Sequence, residues 1–291
     1  MKIASLYQRD QVTFSLEFFP PKTVEAESAL MQVAAELRML GPSFFTVTYG
    51  AGGSTREKTI RIVDRLRQEI GVETMSHLTT VGQSKSEVAQ VLEEMRRLGI
   101  ENVLALRGDP PKGETEFRPR PDGFGNATEL VQFIRERYSP EDFCIAVAGN
   151  PEGHPEATSR AANWEHLKAK IDAGGQFVLT QLFWNNDYFY EFRDACGRLG
   201  IGVPLVPGVM PLLSPSQVQR FSALGGAKVP QTLAAELEGI GDDGERAIQL
   251  GIDYATRQCQ DLIRHGVKGL HLYCLNRSRS VTAVLRNLGL A

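Results

Sequence analysis

No C-x-x-C pair occurs in this sequence, whose cysteines number only four, Cys144, Cys196, Cys259 and Cys274. That spacing offers neither a zinc knuckle nor a redox dithiol, and scattered thiols fit a reducing cytosol. No apolar run approaches the roughly 18 residues a membrane span needs, and the start, Met1 to Asp10, lacks the apolar stretch of a secretory signal. Charge of one sign is missing too. With 32 basic and 35 acidic residues interspersed, the net charge is −3, which argues against a nucleic-acid footprint and against a polybasic membrane patch. There is no G-x-G-x-x-G, no phosphate loop and no nucleophile elbow. His77, His154, His166 and His271 show no ligand spacing, so no metal is expected.

What is present is alternation. Eight short runs rich in β-branched and aromatic residues read as buried parallel strands: Thr13–Phe18, Phe44–Tyr49, Thr74–Thr79, Asn102–Leu106, Cys144–Ala148, Phe177–Leu182, Pro204–Val209 and Gly269–Leu275. Helical patterns lie between them, as at Leu30, Val33, Leu37 and Leu40. Several close on a glycine that precedes a strand: Gly41, Gly71, Gly99, Gly200 and Gly266. Ser84 with Glu87 forms a capping box, and Pro215 suits a first helical position. Strand, helix, glycine, strand is the grammar of an α/β chain folded as a (β/α)₈ TIM barrel, here one catalytic domain over residues 1–291. The segment from Gly226 to Gly244 reads as an extra helix and loop. Asp109 to Asn126, rich in Pro and Gly, is a long connection of the kind that carries function.

Barrel enzymes work at the C-terminal ends of their strands. The polar residues there are Glu17, Thr48 and Tyr49, His77 and Thr79, Arg107 to Asp109, Asn150 and His154, Gln181, and Asn276 with Arg277. Glu17 sits among apolar neighbours. Burial would raise its pKa and suit a general acid, unless it is salt-bridged, for instance to Lys22. Pro110 restricts Asp109 to extended backbone and so aims its carboxylate; a local Arg107–Asp109 pair is the plainer reading. His77 is a ligand donor or a satisfied core histidine. These residues describe a barrel enzyme with an acid, a positioned carboxylate and polar donors, and leave the reaction open.

The same residues resemble the methylenetetrahydrofolate reductases of the bacterial, single-domain type. The matching stretches are Ser15–Lys22, Thr46–Ala51, Ala105–Asp109, Pro151–Ala157, Thr180–Phe183 and Tyr273–Arg277, in the family's order. The resemblance implies a cytoplasmic flavoprotein that reduces 5,10-methylenetetrahydrofolate to 5-methyltetrahydrofolate. NADH or NADPH is the electron donor, hydride passes through FAD, and the product supplies methyl groups for methionine synthesis. It implies Glu17 and Asp109 as catalytic residues. Around the cofactors it implies Thr48, Tyr49, Ala51, His77, Arg107, Gly108, Asp109, Ala127, Asn150, His154, Asn163, His166 and Lys170. For the folate it implies Asp109, Gln181, Gln217, Phe221 and Arg277. Asn126, Asn150 and Asn163 depart from the Tyr, Tyr and Asp common in the family, which implies a weakened hold on FAD. A flavin-free reductase with direct hydride transfer and a folate-barrel methyltransferase are the alternatives. The partner is a small folate, with neither nucleic acid nor membrane, and the chain is a possible homo-oligomer.

Overall fold

The computed structural model describes residues 1–49, 56–110, 113, 114, 117–241 and 243–291. Eight parallel strands close in sequence order into a barrel: β1 (Thr13–Phe18), β2 (Phe44–Val47), β3 (Thr74–Thr79), β4 (Asn102–Leu106), β5 (Cys144–Gly149), β6 (Phe177–Leu182), β7 (Leu205–Val209) and β8 (Gly269–Tyr273). Closure is made by β1 on β8, with Ser15 opposite His271 and Glu17 opposite Tyr273. The (β/α)₈ expectation therefore holds. Two strand ends fall short of expectation. β2 stops at Val47, and β8 stops at Tyr273 because Leu275 and Asn276 turn left-handed, with φ of 54° and 56°.

The helices are α1 (Val24–Arg38), α2 (Arg56–Arg65, continued by a π-helical turn Leu66–Ile70), α3 (Lys85–Arg97), α4 (Ala127–Arg137), α5 (Arg160–Asp172) and α6 (Asn186–Arg198). After them come α7 (Pro215–Gly225), α8 (Gln231–Ile240), α9 (Gly244–Arg264) and α10 (Arg279–Asn287). The local signals act as expected. Ser84 and Glu87 cap each other at α3, Pro215 opens α7, and the five helix-closing glycines all have positive φ. The extra helix is α8.

Because strand side chains alternate, each strand feeds two cores. Outward residues such as Phe14, Leu16, Phe45, Val47, Val103 and Val147 pack under the helices. Inward residues Phe44, Met75, Leu104, Cys144, Phe177 and Leu179 fill the lower barrel. Its floor is a 3₁₀ turn, Ile3–Gln8, that inserts Ile3, Leu6 and Tyr7 from below. At the opposite end, Leu182, Trp184, Met210, Leu212, Val218 and Leu233 form a third cluster, which seats α7 and α8 beside the mouths of β6 and β7. The four cysteines are buried free thiols.

Candidate active site

The upper barrel interior holds polar side chains instead of aliphatic ones. Glu17 is 6% exposed. Its Oε2 lies 3.2 Å from His271 Nε2, 3.4 Å from Thr46 Oγ1 and 3.4 Å from His77 Nε2. Lys22, on the exposed chain after β1, is not its partner; two imidazoles and a hydroxyl are. Behind His271, Nδ1 meets Ser15 Oγ at 2.8 Å, and Ser15 Oγ also reaches Leu270 O at 3.4 Å.

This chain of groups satisfies Glu17 in either protonation state. With the carboxylate ionised, Nε2–H donates to it and Ser15 O–H donates to Nδ1. With the carboxyl protonated, Glu17 donates to Nε2, Nδ1–H donates to Ser15, and Ser15 turns its hydrogen to Leu270 O. The expected upward shift of the Glu17 pKa is overturned. Burial does push it up, but the hydrogen bond from His271, the neighbouring His77 and the Thr46 hydroxyl outweigh burial and hold it below the ordinary carboxylate range. The hydrogen bond from His271 is the largest of the lowering influences, the charge that His77 takes up only in acid comes next, and the Thr46 hydroxyl is the smaller part.

His77 is not a satisfied core histidine. Its Nε2 faces Glu17 Oε2 at 3.4 Å without hydrogen-bond geometry, and Thr79 Oγ1 and Gln83 Oε1 just beyond it are buried without a hydrogen-bond partner. Buried polar atoms are nearly always paired in native proteins, so this row along the end of β3 marks a place for a polar ligand. Beside it, Gly108 has φ of +88°, and a Cβ there would stand 2.8 Å from Val81 Cγ1. Only glycine lets the β4 end press against the β3 end in this way.

Arg107 does not pair with Asp109. Its terminal nitrogens fork onto Glu156, Nη1 to Oε2 at 2.5 Å and Nη2 to Oε1 at 3.0 Å, and its guanidinium lies 4.8 Å from the Phe117 ring centre. Asp109 is exposed. His154 accepts at Nδ1 from the Glu156 amide at 3.2 Å; burial and the nearby Arg107 lower its pKa. Lys170, in the last turn of α5, donates to Ala148 O at 2.5 Å, and burial brings its pKa down to about 8. Asn163 is half-buried and His166 exposed on the same helix. No cluster of three or more His, Cys, Asp or Glu side chains that could hold a metal occurs among the described residues.

The remaining expected residues divide. Thr48 and Tyr49 follow β2; Tyr49 Oη accepts from Gln83 Nε2 at 3.3 Å. Ala51 lies outside the described residues. Asn126 spends its side chain on the α4 cap: Oδ1 accepts from Glu129 N at 3.0 Å, and Ala127 is the first residue of that helix. Asn150 gives its carbonyl to Trp164 Nε1. Gln181 is half-buried at the end of β6 and accepts locally from Leu182 N. Gln217 Oε1 is likewise engaged, with Leu213 N at 2.5 Å. Phe221 packs on the α7–α8 cluster, and Arg277 is exposed after β8. Residues the sequence reading did not single out as site residues are His271, Ser15, Thr46 and Glu156. The period-two pattern of β1 and β8, which turns Ser15, Glu17, His271 and Tyr273 inward together, was the available signal.

The model of the family described as methylenetetrahydrofolate reductase matches residues 2–289. Methylenetetrahydrofolate reductase (NADH) 1 of Arabidopsis thaliana is 41% identical over 99% of this chain, and the chain spans about half, 50%, of that plant protein's length. The 5,10-methylenetetrahydrofolate reductase of Escherichia coli is 35% identical over 96% of this chain and 91% of its own. Among solved structures, an uncharacterized protein from Clostridium thermocellum that binds two copies of 5-methyl-5,6,7,8-tetrahydrofolic acid superposes with a TM-score of 0.60. It covers 99% of this chain and 97% of its own at 14% identity, a likeness of fold. The chain belongs to the methylenetetrahydrofolate reductase family.

Proposed function

We propose that the protein reduces 5,10-methylenetetrahydrofolate to 5-methyltetrahydrofolate, using NADH or NADPH and FAD, and so supplies methyl groups for methionine synthesis. The observation that carries this reading is the buried Glu17, held between His77 and His271 inside the barrel mouth of a chain that matches the family along its length.

The residues present fit a flavin. Thr79 Oγ1 and Gln83 Oε1, buried without a hydrogen-bond partner, and the close backbone approach at Gly108 offer polar groups to a ligand at that end of the barrel. Thr48, Tyr49, His77, Arg107, Gly108, Asp109, Ala127, Asn150, His154, Asn163, His166 and Lys170 would hold it. FAD, when bound, supplies a hydride relay between the nicotinamide and the folate. Asp109 contributes a negative charge that suits a cationic iminium form of the substrate. Glu17, whose carboxyl is ionised in the free protein, would take up a proton when the folate binds and pass it to the folate's five-membered ring, and the Ser15–His271 chain keeps it hydrogen-bonded with and without that proton. Gln181, Gln217, Phe221 and Arg277 would contact the folate; Gln217 must exchange its bond to Leu213 to take part.

Glu17→Gln tests the assignment. Positioned acids contribute about 10²–10⁴-fold, so folate reduction should fall by that range while NADH oxidation by an artificial acceptor persists. Equal loss of both half-reactions would make Glu17 structural. A second reading, a reductase without flavin, is favoured by Asn126, whose side chain is committed to the α4 cap. Parallel lines in steady-state kinetics support the flavin relay, and intersecting lines support direct transfer.

A further inference from the structure

We propose that Glu156 is an internal counter-ion that holds the Arg107 guanidinium in place of an anionic dinucleotide cofactor and must release it before such a cofactor binds. The inference rests on the flavin reading above.

Arg107 stands at the C-terminal end of β4, and Glu156 in the connection between β5 and α5. Both carboxylate oxygens of Glu156 meet the two terminal nitrogens of Arg107, while Nε turns to the Gly108 carbonyl at 3.3 Å. The Phe117 ring covers the guanidinium. The forked edge that Glu156 takes is the edge a phosphate or pyrophosphate would take, since both present two oxygens at matching spacing. Carboxylate and cofactor anion therefore compete for one edge.

The pair is built to open. The Glu156 side chain is 48% exposed, against 24% for Arg107, so the carboxylate returns to water when it leaves. An ion pair this exposed is weak. It tunes affinity without blocking the site. Phe117 and the Nε bond to Gly108 keep the guanidinium aimed after Glu156 swings away.

The test is a double-mutant cycle read by quenching of FAD fluorescence, with no turnover involved. Glu156→Gln, which keeps the shape and removes the charge, should bind FAD about two- to five-fold more tightly than the wild type. In an Arg107→Met background the same substitution should leave the dissociation constant unchanged. Inorganic pyrophosphate alone should likewise bind Glu156→Gln more tightly than the wild type, and no more tightly in the Arg107→Met background. Unchanged or weaker FAD binding by Glu156→Gln overturns the proposal and makes Glu156 a support for Arg107; the flavin reading survives that result. A gain that persists in Arg107→Met also overturns it, because a general loss of negative charge would then explain the effect. No FAD binding by any of the four forms overturns both the counter-ion and the flavin reading.

Discussion

His271 Nε2 lies 3.2 Å from Glu17 Oε2, across the seam where β8 closes on β1. The two are 254 residues apart in sequence; the barrel alone makes them neighbours. His271→Ala removes the hydrogen bond and leaves a buried carboxylate. A hydrogen bond to a charged group is worth about 1.5–3 kcal/mol, and a loss of that size is expected at pH 7 in denaturant unfolding. Glu17 has a lowered folded pKa, so its stabilising contribution is present above the unfolded value near 4.3 and fades as pH falls through the folded one. The gap between His271→Ala and wild type should narrow over the same interval. A gap that is constant with pH would mean that packing, not the carboxylate, is what the histidine serves.

His77 makes a separate prediction. Its folded pKa is about 4, against about 6.5 in an unfolded chain. Between those values the unfolded chain binds the proton and the folded one does not, so stability is lost as pH falls from about 6.5 toward 4. A depression of that size corresponds to about 3 kcal/mol. His77→Gln should flatten this part of the stability curve. An unaltered slope would assign the acid sensitivity to other groups, such as His154.

At Lys170, stability and binding should move in opposite directions. The free ammonium titrates near 10.5, and burial brings it to about 8. Below pH 8 the fold therefore carries a partly desolvated charge, held by one carbonyl. Lys170→Met should stabilise the protein at pH 7 by roughly 1–3 kcal/mol, the range reflecting the surface the residue keeps in water. That advantage should disappear as pH rises from 8 to 10.5, where the wild type sheds its proton. FAD should bind Lys170→Met more weakly. A variant that loses stability at pH 7 would show the ammonium–carbonyl bond to be structural.

Much of the barrel was legible in the sequence because parallel strands buried on both faces leave continuous β-branched runs, and helices that turn into strands leave glycines with positive φ. Less of the site was legible, for physical reasons. Glu17 stood out as a carboxylate among apolar residues, but the sign of its pKa shift depended on His271, which β-barrel closure supplies. Asn126 looked like a lost flavin contact. Yet Asn126-x-x-Glu129 is also a capping pattern, and the structure uses it as one. Arg107 was noticed, but its partner comes from a different loop and shares no local pattern with it.

The barrel floor was missed because its signal is brief: Ile3, Leu6 and Tyr7 make a single helical turn of apolar residues, too short to stand out from a polar leader. Tyr7 carries a last prediction. Its ring packs 5.4 Å from that of Phe177, and the residue is 6% exposed. The hydroxyl is buried without a hydrogen-bond partner, and burial pushes its pKa up. A hydroxyl taken out of water with nothing to bond to costs about 1–3 kcal/mol. Tyr7→Phe keeps the ring contact and removes the stranded oxygen, so it should raise the unfolding free energy by about 1 kcal/mol or more. Most core substitutions act the other way, which makes the sign a sharp test. A destabilised Tyr7→Phe would show that the hydroxyl binds a water at the base of the barrel. Ile3→Ala, by contrast, opens a cavity in the same floor and should cost about 2–5 kcal/mol. Opposite signs at two residues of one turn would establish that the floor stabilises the barrel through apolar packing alone.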